Sequence, residues 1–308
     1  MSNPLLFMIC VCIWGSTWIT IPYQLGTVDP VLSVAYRFAL AAVMLGLFCR
    51  WQRISLRLPV HIHVKMAAVG LALYTLDYTL LYHAQQYVIS ALVALMSSLI
   101  IYFNVFLRRL LLGKPIRIPV LVGATLGLAG MVCIFYPEFA HVQQDSLLWL
   151  GISLALASFL CAAVGNVISE RILDHGTPVV AMNFWAMSYG LVWLSSYAAI
   201  SGARLTLPAD PHYYWSLLYL SLFGSVLAFG AYMRLLQQMG SDKAAYVVLL
   251  YPLVALALST LFEGYQWHIS GLLGVMLVLL GNAIAMEKLP RQRQPLSTLA
   301  SETGKAPD

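Results

Sequence analysis

The sequence predicts an all-α membrane protein with ten transmembrane helices arranged as two inverted five-helix repeats, and three observations support this. First, of 308 residues 61% are hydrophobic and only 9% charged, whereas a water-facing domain carries roughly a quarter charged residues. Second, apolar runs of bilayer-crossing length, about 20 residues each, recur along the whole chain. Third, the basic residues between those runs fall almost entirely on alternate connections.

The runs are Leu5 to Pro22, Val31 to Cys49, Val64 to Tyr82, Ser90 to Leu107 and Ile118 to Tyr136, then Leu147 to Ile168, Val179 to Ile200, Tyr213 to Met233, Ala244 to Phe262 and Trp267 to Met286. They are too long and too uniformly apolar for barrel strands, which are roughly ten residues of alternating character. Helices satisfy their backbone polar groups internally, as hydrocarbon demands. The first run lacks the positive flank and small-residue cleavage site of a secretory signal, so it is expected to persist as the first helix. Residues 289–308 mix Pro, Ser, Gln, Lys and Arg without an apolar face and are expected to form a disordered cytosolic tail. The five cysteines sit in or beside apolar runs without C-x-x-C spacing and read as small hydrophobic residues, not metal ligands.

Short loops rich in Lys and Arg stay in the cytoplasm. With the amino terminus inside, the inner connections and tail hold 15 bases, among them Arg50, Arg53, Arg108, Arg117, Arg171, Arg234 and Lys243, while the outer ones hold only Arg204. Both termini are therefore expected to be cytoplasmic in a multi-pass plasma-membrane protein. A lipid bilayer is the expected partner. The bases form no separate patch, which argues against nucleic acid. No cofactor is expected, and the oligomeric state stays open.

The fourth and fifth runs resemble the ninth and tenth at a shift of 151 or 152 residues: Gly113, Gly123 and Gly130 match Gly264, Gly274 and Gly281, and Gln85–Gln86 match Gln237–Gln238. An odd number of helices per repeat forces the second half to enter from the opposite side. Ile13-Trp14-Gly15-Ser16-Thr17, Tyr36-Arg37-Phe38, Ala91-Leu92-Val93-Ala94-Leu95, Leu110-Leu111-Leu112-Gly113-Lys114-Pro115 and the Gly123 to Gly130 segment resemble the drug/metabolite transporter superfamily, in its ten-helix form with two EamA repeats. The resemblance implies repeats over residues 1–141 and 142–288, a central cavity between them, and export or exchange of small metabolites.

Arg37 and Asp77 are the two formal charges well inside the expected runs, each costing at least about 2.5 kcal/mol in lipid. At 1.5 Å per residue both lie roughly 10 Å from the outer end, and a buried ion pair between them is expected. Asp77 shares a helical face with Tyr74, Tyr78 and Tyr82, a stripe suited to an aromatic or amphipathic solute or, equally, to helix packing. Trp14, Thr17, Ser97, Asn104, Asn166, Tyr246 and Tyr251 complete the candidate substrate-binding set, the last beside Pro252, which breaks helical hydrogen bonding. The chain has no G-x-S-x-G and no H-E-x-x-H, so an intramembrane enzyme lacks its parts. A channel-like pore is the other alternative, and neither displaces alternating access as the preferred mechanism.

Overall fold

The computed structural model describes residues 2–24, 28–88, 90–137, 146–203, 205–262 and 267–286. The expected tail, 289–308, lies outside them. The described residues contain helices and no strand. The helices are α1 (Asn3–Thr20), α2 (Pro30–Trp51), α3 (Val60–Ala84), α4 (Ser90–Ser97), α5 (Ile100–Leu112) and α6 (Ile118–Phe135), then α7 (Ser146–Asp174), α8 (Val179–Ile200), α9 (Pro211–Met239), α10 (Ser241–Ala244), α11 (Val247–Phe262) and α12 (Ile269–Met286). Their ends follow local chemistry. Asp29 caps α2 by accepting from the Val31 N–H at 2.8 Å, and Asp210 caps α9 through His212 N–H at 2.9 Å. Each cap is followed by a proline whose missing N–H costs nothing in the first turn. Gly113 stops α5 in the left-handed conformation, φ 66°.

Among the described residues, with α4 and α5 taken as one span and α10 and α11 as another, eight helices are long and apolar enough to cross a membrane, where ten are expected from the sequence. The two that fall short of that measure are α1, whose shorter apolar stretch is Asn3–Thr17, and α8, in which Asn183, Ser188, Ser195 and Ser196 dilute the hydrophobic run. Four departures from regular helix were not foreseen. Gly70–Leu76 within α3 and Leu220–Leu227 within α9 are π-helical. Helical continuity also breaks between α4 and α5, at Ser98–Leu99, and between α10 and α11, at Ala245–Tyr246.

The helices α6 and α12 form the most intimate pair. They run antiparallel, because Gly123 abuts Gly281 and Gly130 abuts Gly274: a Cβ placed on Gly123 would lie 2.3 Å from the Gly281 oxygen, and one on Gly130 would lie 2.5 Å from that of Gly274. Bare backbones are therefore required at this seam. Elsewhere α1 packs on α11, α2 on α8, and α3 on both α7 and α8. One buried apolar cluster draws on all of them and encloses the polar groups described below.

This seam sets a test. Gly123→Ala is expected to lower the thermal midpoint of the detergent-solubilised protein, since overpacking costs about 1–3 kcal/mol. Gly230→Ala, where an added Cβ meets nothing within 4 Å, is expected to leave the midpoint unchanged or raise it by the helical preference of alanine. Equal midpoints for the two variants would contradict the packing.

Candidate functional site

Three polar regions lie along the interior of the bundle. The innermost, at the Arg108 end, is a knot of charges. From α5, Arg108 Nε donates to Glu170 Oε1 of α7 at 2.7 Å, and its Nη1 reaches Asp242 Oδ2 of α10 at 3.5 Å. Arg117, just ahead of α6, donates to the other Asp242 oxygen at 3.2 Å and to the Met239 carbonyl at 2.7 Å. The second Glu170 oxygen accepts from both the backbone N–H and the hydroxyl of Ser241, each at 2.8 Å. Two positive and two negative charges thus cancel, with the Arg108, Glu170 and Asp242 side chains no more than 6% exposed. Gly240, at φ 92°, lets the chain turn sharply here, and a side chain on it would strike the Arg108 guanidinium. Partial burial lowers the pKa of Arg117, with Asp242 opposing, yet arginine stays cationic.

The middle region, the chamber, is a packed cluster of aromatic and hydroxyl-bearing side chains. The Trp14 indole donates to the Gly224 carbonyl at 3.1 Å, and its ring meets Phe229 and Tyr232 at 5.2 Å each. Tyr74 packs edge-on between Phe38 and Phe229, at 5.0 and 5.1 Å, and its buried hydroxyl has no hydrogen-bond partner. Tyr78 meets the same Phe38 ring at 5.4 Å. The Ser97 hydroxyl donates to the Ala94 carbonyl of its own helix at 2.7 Å, and Tyr251 is partly buried against the apolar core. The Asn166 carbonyl oxygen is buried and unpartnered.

The expected Arg37–Asp77 ion pair is not among the contacts within 4.0 Å of the described residues. Two separate neutral contacts stand in its place. Arg37 Nε donates to Ser225 Oγ at 2.7 Å and its guanidinium lies over the Phe38 and Tyr78 rings, at 5.9 and 5.8 Å. Asp77 Oδ1 accepts from Ser158 Oγ of α7 at 2.6 Å. Asp77 precedes Tyr78 by one residue, about 100° around a helix of 3.6 residues per turn, so the two side chains reach different neighbours. Tyr74 and Tyr78 stay together on Phe38 of α2, whereas Asp77 turns to α7. The fourth stripe member, Tyr82, lines the outermost region, a cavity of about 370 Å³ bounded also by Asp29, His83, Gln85, Gln86 and Tyr197.

The remaining candidates play packing roles. The Thr17 hydroxyl is spent on the Trp14 carbonyl of its own helix, at 2.6 Å. Tyr246 is fully buried and donates to the Val120 carbonyl, tying the α10–α11 break to α6. Asn104 donates to the Ser241 carbonyl at 3.1 Å and so belongs to the charge knot, not to the chamber. Sequence reasoning missed Glu170 and Asp242, because their run ends read as loop, and missed Ser158, Ser225 and Tyr232 for want of any charge. A signal existed for the acids: they lie on connections otherwise dominated by bases. No group of three His, Cys, Asp or Glu side chains suited to a metal occurs among the described residues.

Known proteins agree with this architecture. A solved crystal structure superposes with a TM-score of 0.76 at 19% identity, covering 92% of this chain and 96% of the other, which supports the fold. The transporter YoaV of Bacillus subtilis is 26% identical over 87% of this chain and 91% of its own length. The inner membrane transporter YedA of Escherichia coli is 28% identical over 87% of this chain and 88% of its own. An Escherichia coli protein named a probable amino-acid metabolite efflux pump is 23% identical over 91% and 93%. The family model for the EamA-like transporter family matches residues 1–136 and 149–286; the chain thus belongs to that family and is a multi-pass membrane transporter.

Proposed function

We propose that the protein exports or exchanges small amphipathic metabolites, amino acids and aromatic compounds among them, by alternating access between two inverted five-helix halves. The observation that carries this reading is the difference between the two ends of the interior path. At the Arg108 end, Arg108 and Arg117 from the first half meet Glu170 and Asp242 from the second in a buried knot. At the Asp29 end, a cavity of about 370 Å³ stands between α2, α3 and α8. In this reading the knot shuts one end and the cavity opens the other, which makes one member of the pair of states that a carrier needs.

The internal repetition supports the other member. The π segments begin at Gly70 and Leu220, 150 residues apart, and the helix breaks begin at Ser98 and Ala245. The glycine contacts of α6 and α12 obey the same relation: exchanging Gly123 with Gly274 and Gly130 with Gly281 turns one contact into the other. Two halves of like construction, inverted, can trade conformations. In this reading α1 and α8 also cross the bilayer, giving ten spans. The excess of bases places the Arg108 end and both termini in the cytoplasm. The chamber residues Trp14, Tyr74, Asp77, Tyr78, Ser97, Asn166 and Tyr251 hold the solute, with Tyr82 on its way out.

Two experiments test the proposal. Reconstituted in liposomes and screened with amino acids, aromatic metabolites and organic cations, the protein is expected to show saturable counterflow for at least one solute. Conductance without saturation would identify a pore instead. Tyr78→Ala, removing a ring contact of about 1.4 kcal/mol, is expected to raise the half-saturating concentration about tenfold.

Glu170→Gln is expected to loosen the shut end, since removing one partner of a buried pair costs about 3 kcal/mol or more. A cysteine at Ile101, fully buried two turns inside Arg108, in a background without the five native cysteines, should then react faster with an impermeant maleimide in inside-out vesicles. Unchanged labelling with retained fold would show that the knot is no gate.

A further inference from the structure

The interior holds two isolated charges, and their surroundings differ in a way that bears on the cargo. Arg37 is compensated: its Nε donates to Ser225, and its guanidinium lies over two ring faces whose quadrupoles are negative. Asp77 is not. Its carboxylate accepts from one neutral hydroxyl, Ser158 Oγ, and no Lys, Arg or His lies within 4.0 Å of it among the described residues. Next to it on the same helix, Tyr78 opens a chain of ring contacts of 5.0 to 5.4 Å that runs through Phe38, Tyr74 and Phe229 to Trp14. None is a base, and aromatic faces offer an anion nothing.

We propose that Asp77, at the Tyr78 end of this chain of rings, receives the ammonium end of a small organic amine. This rests on the carrier reading above and names its substrate class. A carboxylate beside aromatic faces matches a cation that is partly apolar, because the acid supplies the countercharge and the rings the polarisable wall. A metal ion suits the place poorly, for it needs several oxygen ligands, and no group of three His, Cys, Asp or Glu side chains suited to a metal occurs among the described residues. The apolar body of the amine is directed along these rings to Trp14 and Phe229, which meet at 5.2 Å. An anionic solute would find the positive charge of Arg37 already engaged.

The test uses three probes with one phenyl body: phenethylamine, 2-phenylethanol and 3-phenylpropionate. Each is titrated into the purified full chain at neutral pH, following tryptophan fluorescence and the thermal midpoint. The amine is expected to bind at least tenfold more tightly than either of the others, and Asp77→Asn to reduce that ratio to near one while Asp77→Glu preserves most of it. Equal affinities, tightest binding of the propionate, no binding of the amine, or an undiminished ratio in a folded Asp77→Asn protein would each overturn the inference. The wild-type ratio decides the matter even where Asp77→Asn fails to fold. Saturable counterflow of other solutes without any amine preference would sink this inference alone. Unsaturable conductance would sink the carrier reading, whatever the probes show.

Discussion

Every backbone N–H and C=O within a bilayer must find a partner in the protein, because hydrocarbon offers none, and this constraint shapes the interior more than any side-chain preference. Regular helix meets it automatically. Where α3 and α9 widen into π-helical turns, carbonyls are displaced from their usual partners, and side chains of the same or another helix take some of them. Trp14 of α1 donates to Gly224 in one π segment. Thr75 in the other donates to Gly70 of its own helix and to Gly190 of α8, at 3.1 and 3.2 Å. The irregular turns therefore act as sockets that fix neighbouring helices, and the same turns place Ser225 and Asp77 facing inward. Site and scaffold share one cause.

The same scarcity of partners governs the charges. Four of them gather at the Arg108 end, where they neutralise one another and where Ser241 and Asn104 satisfy what remains. Such a cluster stabilises little relative to a well-packed apolar core, since desolvation offsets most of its Coulombic gain. Its worth lies in specifying which helices meet, since α5, α7 and α10 must come together for Arg108, Glu170 and Asp242 to pair. Arg37 and Asp77, by contrast, stand apart on neutral hydroxyls, a costly condition that serves no packing purpose evident in the fold.

Much of this was legible in the sequence. The apolar runs located the helices to within a few residues, and Arg37, Asp77, Trp14 and the tyrosines of α3 were marked as interior because lipid forbids a charge or a tyrosine hydroxyl without a partner. What could not be read was angular phase. A 3.6-residue period groups Asp77 with Tyr74 and Tyr78 but does not say which neighbouring helix each meets, and nothing in Gly70–Leu76 announces an i→i+5 pattern to a periodicity argument. The charge knot escaped for a related reason. Hydropathy ends a run where charges begin, so Glu170 and Asp242 read as loop even though α7 continues to Asp174 and α10 opens with Ser241.

Under the carrier reading, a buried knot that shuts one end has to be breakable in the time of a transport cycle, and a strong lock would be a defect. The physics permits this because opening differs from mutation. Deleting one partner strands the other in a dry interior, at about 3–5 kcal/mol. Opening instead admits water to both, and an ion pair in water is worth only about 0–1 kcal/mol, so each charge exchanges a protein partner for solvent at small net cost. The aromatic chamber above has no such compensation, since its rings gain nothing from hydration. The end built of charges is therefore the one suited to open and close, and the chamber built of rings is suited to stay dry and hold a solute while the gate beneath it changes state.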